Sequence, residues 1–134
     1  MSRNIPKTEL LYQKSKPIDH LSFFDGLSLM IKEQKNAALE VKRSRKSIEY
    51  AIEAIYKHLT LYPKGRLIYV GAGTSARIGV QDGVELFPTF NWPKERLDFI
   101  IAGGINALLN AIENAEDDTH SAEKIVEDKL ICNE

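Results

Sequence analysis

The stretch Leu67–Ser75, with the sequence LIYVGAGTS, decides the fold of this chain. Its first four residues are a continuous apolar run of β-favouring residues, which is typical of a strand covered on both faces. The glycines at positions 71 and 73 then allow the backbone to turn tightly or to approach a ligand closely. A strand that enters a helix through such a turn indicates an α/β fold, with a ligand site beyond the carboxyl end of the strand.

The chemistry of this turn favours a phosphate ligand. Backbone N–H groups at the start of the following helix, together with the hydroxyls of Thr74 and Ser75, can bind phosphate oxygens without a cation. The candidate phosphate-binding residues are therefore Gly71, Gly73, Thr74 and Ser75. From the loop alone, a purely structural turn in which Ser75 caps the helix explains the same residues equally well.

Two nucleotide-binding motifs resemble this loop, but neither is complete. The spacing Gly71-x-Gly73-x-x-Ala76 matches the loose dinucleotide fingerprint, which also needs an acidic residue at the end of the second strand. This sequence has Ala-Gly-Gly at 102–104 instead. A Walker A loop would continue with Gly-Lys-Ser or Gly-Lys-Thr, and this loop does not. NAD is therefore disfavoured as a ligand.

Amphipathic patterns surround the turn on both sides. Apolar residues at helical spacing predict one helix with a buried stripe from Ser22 onwards, and a second that ends at Pro63 and Gly65. After the turn we expect a helix from Ser75 to about Phe87, a strand Leu97–Ile101, a helix from Ile105 to Ile112, and a helix from Ala122 to about Leu130.

This order of elements indicates a βαβ unit with a parallel sheet inside an α/β fold. We expect residues 1–64 to form an N-terminal arm and helices, and residues 65–134 to form the first part of the sheet domain. Two parallel strands are few, because parallel sheets are normally buried on both faces and sheets usually have about 4 to 6 strands. Either another chain completes the sheet or this chain is a fragment of a longer protein.

Composition narrows the class of protein. The chain has 134 residues and a net charge of −1, from 18 basic and 19 acidic side chains, so no overall field favours nucleic acid or an anionic membrane. A single cysteine, Cys132, and a polar N-terminus without an apolar signal core lead us to expect a cytoplasmic protein without a membrane span. The three histidines lack ligand spacing, so we do not expect a metal site.

Two carboxylates are candidates for acid–base chemistry. Glu85 follows the stripe position Val84 in the helix after the turn, and Glu116 continues the apolar stripe of the next predicted helix. A carboxylate on a buried face would have a raised pKa, which suits general acid or base work. The alternative places Glu116 past the end of that helix in a solvated acidic turn, and Glu113 competes with it for any catalytic role.

Several further segments resemble one family. In this order and spacing they are similar to the N-acetylmuramic acid 6-phosphate etherases of the sugar isomerase (SIS) superfamily, which includes the glucokinase regulatory protein. The matching segments are Gly65–Ser75, Glu85, Pro88–Phe90, Ile101–Gly104 and Ala111–Asp118, with Thr8-Glu9 and Ile18–Ser22 similar to the family's N-terminal start.

The resemblance implies a three-layer SIS fold and a reaction that needs no metal or cofactor. That reaction cleaves the D-lactyl ether of N-acetylmuramic acid 6-phosphate to N-acetylglucosamine 6-phosphate and lactate. By the family's motif, Glu85 matches the proton donor, Glu116 the second active-site residue, and Thr74 and Ser75 the phosphate loop. The family also implies a sugar-phosphate substrate and a homodimer.

The chain departs from the family pattern at several places. Ala76 stands where family members generally have Gly, and Leu86-Phe87 stands where they have Cys-Pro. Family members also continue into a second half with more strands. A non-catalytic sugar-phosphate-binding module and an inactive fragment are therefore the alternatives to an etherase, and a complementing second half is the alternative to a homodimer.

Overall fold

A computed structural model describes residues 16–129 of the chain. The first 15 residues of the predicted arm, which covers residues 1–20, lie outside the described residues, as do Leu130 and Cys132. The helices and strands are α1 (Phe23–Arg43), α2 (Arg45–Leu61), β1 (Leu67–Gly71), α3 (Gly73–Val84), α4 (Leu86–Phe90), β2 (Leu97–Ile101) and α5 (Thr119–Asp128). Short 3₁₀ turns lie at Ile18–His20, Lys94–Arg96, Ile105–Leu108 and Ala115–Asp117.

The predicted mixed α/β architecture and its parallel sheet are confirmed. Strands β1 and β2 pair in parallel, with Leu67 opposite Leu97 and Gly71 opposite Ile101. Within residues 16–129 the sheet has these two strands. Both strands therefore reach their carboxyl ends at the same edge of the sheet, where the glycine-rich turn also lies.

Helix α3 packs closely on the sheet through small residues. A Cβ built on Gly79 would lie 3.3 Å from Cδ1 of Tyr69, and one built on Gly83 would lie 2.7 Å from Cε1 of Phe99. The two aromatic rings lie side by side, with centroids 5.7 Å apart. Glycine thus allows the helix axis to approach two aromatic side chains that cover the strands.

The core lies directly beneath the turn between β1 and α3. Ala76, Ile101 and Ala107 are its buried members. They come from α3, from β2 and from the 3₁₀ turn Ile105–Leu108, and further apolar side chains pack around them. The three elements that meet at the carboxyl edge of the sheet are therefore held together by the apolar side chains of two alanines and one isoleucine.

Two of the predicted helices differ from those in the structure. The helix after the turn begins at Gly73 rather than Ser75 and ends at Val84, and Leu86–Phe90 forms a separate short helix. The predicted helix from Ile105 to Ile112 is wrong, because a 3₁₀ turn over Ile105–Leu108 takes its place. Two successive glycines at 103 and 104, with φ of 79° and 71°, turn the chain sharply just before it.

The last helix is confirmed, and it begins three positions earlier than predicted. Asp118 supplies the N-cap, since its carboxylate accepts hydrogen bonds from the amide and the hydroxyl of Ser121 at 3.0 and 2.6 Å. Helix α5 then runs over Thr119–Asp128.

The described residues divide into two compact units, 16–52 and 53–129, and the division falls inside α2. The predicted domain boundary lies further along, after residue 64. Arg96 explains why the end of α2 belongs to the second unit, because its guanidinium donates to the carbonyl oxygens of Leu59 and Gly65 at 2.9 and 2.8 Å. The turn that follows α2 is thereby anchored to the start of β2.

Helix α1 forms as predicted, with Ser22 as its N-cap. The side-chain oxygen of Ser22 accepts a hydrogen bond from the amide of Asp25 at 3.1 Å. The predicted burial of the stripe is wrong, since Phe23, Leu27, Met30 and Ile31 are all exposed. Among the described residues, no helix combines the length and the apolar composition needed to cross a lipid bilayer.

Candidate functional site

The turn after β1 presents the free amides of a helix N-terminus. Strand β1 ends at Gly71, Ala72 is extended, and the first hydrogen bond of α3 runs from the amide of Ala76 to the oxygen of Ala72 at 3.1 Å. The amides of residues 73–75 precede that bond, and the N-cap Ala72 has no side chain that could accept from them. This arrangement suits an anion, because the amides and the helix dipole both favour negative charge.

The alternative in which Ser75 caps the helix is wrong, because the N-cap is Ala72. Gly73 is the glycine that the backbone requires, since its φ of 54° lies in the left-handed region. Gly71 is required less strictly, because a Cβ there would lie 3.5 Å from Ala76, an ordinary contact distance.

A cavity of about 270 Å³ opens beside this turn. Its volume is close to the lower limit of small-molecule sites, about 300 Å³. Gly73 and Thr74 line it, and so do Glu113 and Glu116. The structure thus brings one half of the predicted phosphate loop into the same cavity as two candidate carboxylates.

Glu116 lies in the 3₁₀ turn Ala115–Asp117 and is exposed. The expectation that it continues a buried helical stripe is therefore wrong, and the alternative of an acidic turn describes its position. Glu113 is also exposed and lines the same cavity. The geometry does not select one of these two carboxylates over the other.

The segment with these carboxylates packs against the glycine turn after β2. A Cβ on Gly103 would lie 3.0 Å from Cδ1 of Ile112 and 3.3 Å from the Cβ of Ala115. Because Gly103 has no side chain and a positive φ, the chain can bend back far enough for these contacts. The family-like segment Ile101–Gly104 therefore shapes the wall of the cavity.

Glu85 lies at the opposite end of α3 from the phosphate loop. It is the exposed C-cap of this helix, and its amide donates to the oxygen of Asp82 at 3.2 Å. Twelve helical residues separate the two ends, which is roughly 18 Å at 1.5 Å per residue. Glu85 does not line the cavity, and neither do Ser75 and Gly71.

Arg77 is the residue of this site that the sequence reasoning missed. It lines the cavity, and its guanidinium donates to the carbonyl oxygens of Ala107 and Asn110. Its position in the sequence could have indicated it, because Arg77 follows Thr74 by three residues, and residues at this spacing in a helix lie on the same face. Within residues 16–129 the structure contains no group of three or more side chains that could hold a metal ion.

Comparison with known proteins relates this site to a family. Residues 47–133, more than half of the chain, match the family model of the glucokinase regulatory protein N-terminal SIS domain. The chain belongs to this SIS family. The match contains the predicted phosphate loop, the cavity and the candidate carboxylates Glu85, Glu113 and Glu116, and the predicted resemblance to the SIS superfamily is confirmed.

The SIS chain is also similar to proteins named N-acetylmuramic acid 6-phosphate etherase. It is 42% identical to the one from Psychromonas ingrahamii over 116 residues, which are 87% of this chain and 38% of that protein. It is 42% identical to the one from Pasteurella multocida over 82% of this chain and 36% of that protein. For Oenococcus oeni the identity is 40%, over 83% of this chain and 37% of that protein.

The chain therefore spans between 36 and 38% of the length of these relatives. The predicted similarity to the etherases is confirmed over most of this chain.

Proposed function

We propose that this SIS chain binds an amino-sugar 6-phosphate and contributes to the cleavage of the lactyl ether of N-acetylmuramic acid 6-phosphate. The observation that carries the proposal is the cavity that joins the amides at the start of α3 to the carboxylates of Glu113 and Glu116. Phosphate would bind at the amides of residues 73–75 and at the hydroxyl of Thr74. The sugar would then extend toward the acidic wall, the segment 107–116 that carries Glu113 and Glu116.

The reaction suits a carboxylate at that wall. In the open-chain sugar the proton on C2 is acidic, because it is α to the aldehyde. Removal of this proton by a carboxylate and protonation of the C3 oxygen eliminate D-lactate, and addition of water to C3 then gives N-acetylglucosamine 6-phosphate. General acid and base catalysis of this kind typically contributes about 10² to 10⁴-fold in rate.

Of the two carboxylates in this wall, we assign the catalytic role to Glu116, as the family motif implies. Glu113 is the competing candidate for this role. Glu85 is assigned the proton-donor role by the motif alone. Because it lies roughly 18 Å along α3 from the loop, it could act on the same substrate only if a second copy or a further polypeptide contributed to the site.

A homodimer or a complementing second half is accordingly part of the proposal. Two features support it. The sheet has two strands in the described residues, although parallel sheets are normally covered on both faces. Val70 of β1 is 72% exposed, which leaves an apolar side chain of a strand in water.

The test is lactate release from N-acetylmuramic acid 6-phosphate by the chain, after a cooperative unfolding transition has shown that it is folded. Glu116→Gln and Glu113→Gln are compared with Glu123→Gln, which alters an exposed glutamate of α5. We expect Glu116→Gln to reduce the rate at least about 10²-fold. Unchanged lactate release in both Glu116→Gln and Glu113→Gln would contradict the assignment of the acidic wall.

A second candidate function is recognition of a sugar phosphate without chemistry. The distance between Glu85 and the cavity favours it, because one chain alone then supplies the phosphate loop and a single acidic wall. In that case N-acetylglucosamine 6-phosphate would raise the melting temperature of a folded chain that releases no lactate. The absence of both stabilisation and turnover would contradict both functions.

A further inference from the structure

The side chain of Arg77 connects the helix after the phosphate loop to Ala107 and Asn110, which also line the cavity. Its Nε donates to the carbonyl oxygen of Ala107 at 3.0 Å, and its Nη2 donates to that of Asn110 at 2.9 Å. Arg77 and Thr74 lie on the same face of α3, one turn apart, and both line the cavity. One end of this contact is therefore fixed to the second turn of the helix that presents the phosphate-binding amides.

The other end of the contact is a closed turn. The amide and the side-chain Nδ2 of Asn110 both donate to the oxygen of Asn106, at 3.0 and 3.2 Å. Ala107 is 5% exposed and packs in the core with Ala76. Arg77 thus binds two backbone acceptors at the point where the chain leaves the core and continues toward Glu113 and Glu116.

Glu113 follows Asn110 by three residues, and Glu116 by six. Their segment is held at two places: by Arg77 at Asn110, and by the contacts of Gly103 with Ile112 and Ala115. The first of these contacts is made by hydrogen bonds from the phosphate-loop helix itself. The position of the carboxylates relative to the phosphate therefore depends on Arg77.

We propose that Arg77 is a positioning residue that holds the acidic wall, residues 107–116, at a set distance from the phosphate loop. Its relevance to chemistry rests on the proposed function, whereas the hydrogen bonds themselves belong to the fold. The planar guanidinium donates in two fixed directions at once, and the ammonium of lysine is a compact point charge that does not reproduce this fork. Geometry rather than charge is what Arg77 supplies.

Amide hydrogen exchange tests the proposal without any turnover. Arg77→Lys keeps the charge, Arg77→Met keeps much of the apolar stem, and Gln81→Ala alters an exposed residue of the same helix as a control. We expect both Arg77 variants to raise the exchange rate of amides within residues 107–116 by about tenfold, as for the loss of one net hydrogen bond. Gln81→Ala should leave these rates unchanged.

Three results would overturn the proposal. An amide exchange rate in Arg77→Lys equal to that of the wild type would show that a positive charge is sufficient to hold residues 107–116. Faster exchange throughout residues 53–129 would show a general structural role instead. Loss of the cooperative unfolding transition in both Arg77 variants would show that Arg77 is required for folding rather than for positioning.

A second arm uses N-acetylglucosamine 6-phosphate as the probe. In the wild-type chain the probe should slow exchange both at residues 73–75 and in the acidic wall, and in the Arg77 variants it should protect residues 73–75 alone. Equal protection of the wall in the variants would overturn the proposal. If the probe does not bind the wild-type chain, the proposed function fails, while the comparison without ligand still decides the role of Arg77.

Where lactate release is measurable, kinetics separate the two contributions of the site. A displaced wall should lower kcat by about 10²-fold while KM changes little, because the phosphate loop remains intact. A change confined to KM would show that Arg77 binds the phosphate group instead.

Discussion

Oδ1 of Asp98 lies 2.7 Å from Nζ of Lys129, at the end of the sheet opposite the glycine-rich turn. Its Oδ2 lies 3.2 Å from Nη1 of Arg66, and the Nη2 of Arg66 donates to the carbonyl oxygen of Lys129 at 2.7 Å. These contacts connect the end of α5 to the amino-terminal ends of both strands. The last described helix is therefore anchored by a partly buried cluster of three charged side chains.

This cluster predicts a dependence of stability on pH. Partial burial by itself would raise the pKa of Asp98, but hydrogen bonds from Lys129 and the Phe99 amide, with the charges of Lys129 and Arg66, outweigh it and lower the pKa. Because the folded-state pKa is lowered, the contribution is complete above the unfolded pKa of about 3.9 and is lost as pH falls through the folded value. Melting temperatures between pH 7 and pH 2 measure it.

The matched variants are Asp98→Asn and Asp128→Asn, the second at an exposed aspartate of α5. Asp98→Asn should lower the melting temperature at pH 7. Between pH 7 and pH 2, the melting temperature of this variant should fall less than that of the wild type. The control should follow the wild-type curve. A wild-type pH profile in Asp98→Asn would show that the cluster does not contribute.

Gly83→Ala should destabilise the second unit, although alanine favours helices. The new Cβ would lie 2.7 Å from Cε1 and 2.8 Å from Cζ of Phe99. Overpacking of this kind costs about 1 to 3 kcal/mol, whereas the gain in helix propensity is at most about 1 kcal/mol. Urea denaturation should therefore show a net loss, and Gly79→Ala, with its nearest contact at 3.3 Å, should lose less.

The double variant Gly83→Ala with Phe99→Leu separates this clash from other effects. A smaller side chain at position 99 removes the atoms that the new Cβ meets. The double variant should therefore be more stable than the sum of the two single changes predicts. Strict additivity would show that the loss in Gly83→Ala has another cause.

Arg96→Met should destabilise the turn between α2 and β1. The guanidinium donates to the oxygens of Leu59 and Gly65, and it lies over the ring of Trp92 at 4.8 Å from its centroid. Loss of hydrogen bonds from a charged donor predicts a reduction of roughly 1 to 3 kcal/mol in the free energy of unfolding. Urea denaturation measures it, with Lys64→Met at an exposed neighbouring position as the control.

The single tryptophan gives a local readout of the same change. Nε1 of Trp92 donates to the carbonyl oxygen of Arg96 at 3.2 Å, so movement of this residue alters the surroundings of the indole. We expect a shift in the fluorescence emission of folded Arg96→Met and none in Lys64→Met. Equal spectra with equal stability would contradict the role of Arg96.

Gly73→Ala and Gly71→Ala should differ in their effect on phosphate binding. Gly73 has a φ of 54°, a conformation that costs an L-residue about 1 to 2 kcal/mol, whereas a Cβ on Gly71 meets Ala76 at an ordinary distance. Titration with N-acetylglucosamine 6-phosphate should show about tenfold weaker binding for Gly73→Ala and little change for Gly71→Ala. The reverse order would contradict the assigned roles of the two glycines.

Local sequence was sufficient for some elements and not for others. The apolar run at 67–70 and the alternation of strand, turn and helix predicted β1, α3 and β2, because these patterns are set by neighbouring residues. The spacing of Ile105, Leu108 and Ile112 predicted a helix that does not form. There the positive φ of Gly103 and Gly104 and the packing of Ile112 on Gly103 bend the chain, and helical periodicity carries no information about such contacts.

The sequence by itself determined the strand, the glycine-rich turn and the membership of the SIS family, since each follows from residues that are adjacent or regularly spaced. Only the tertiary structure decided which candidates share one cavity. Glu113 and Glu116 line the same cavity as Gly73 and Thr74, hydrogen bonds from Arg77 connect Ala107 and Asn110 to α3, and Glu85 lies at the far end of that helix. Distances between residues far apart in the chain depend on long-range hydrogen bonds and packing, which the spacing of motifs along the chain does not specify.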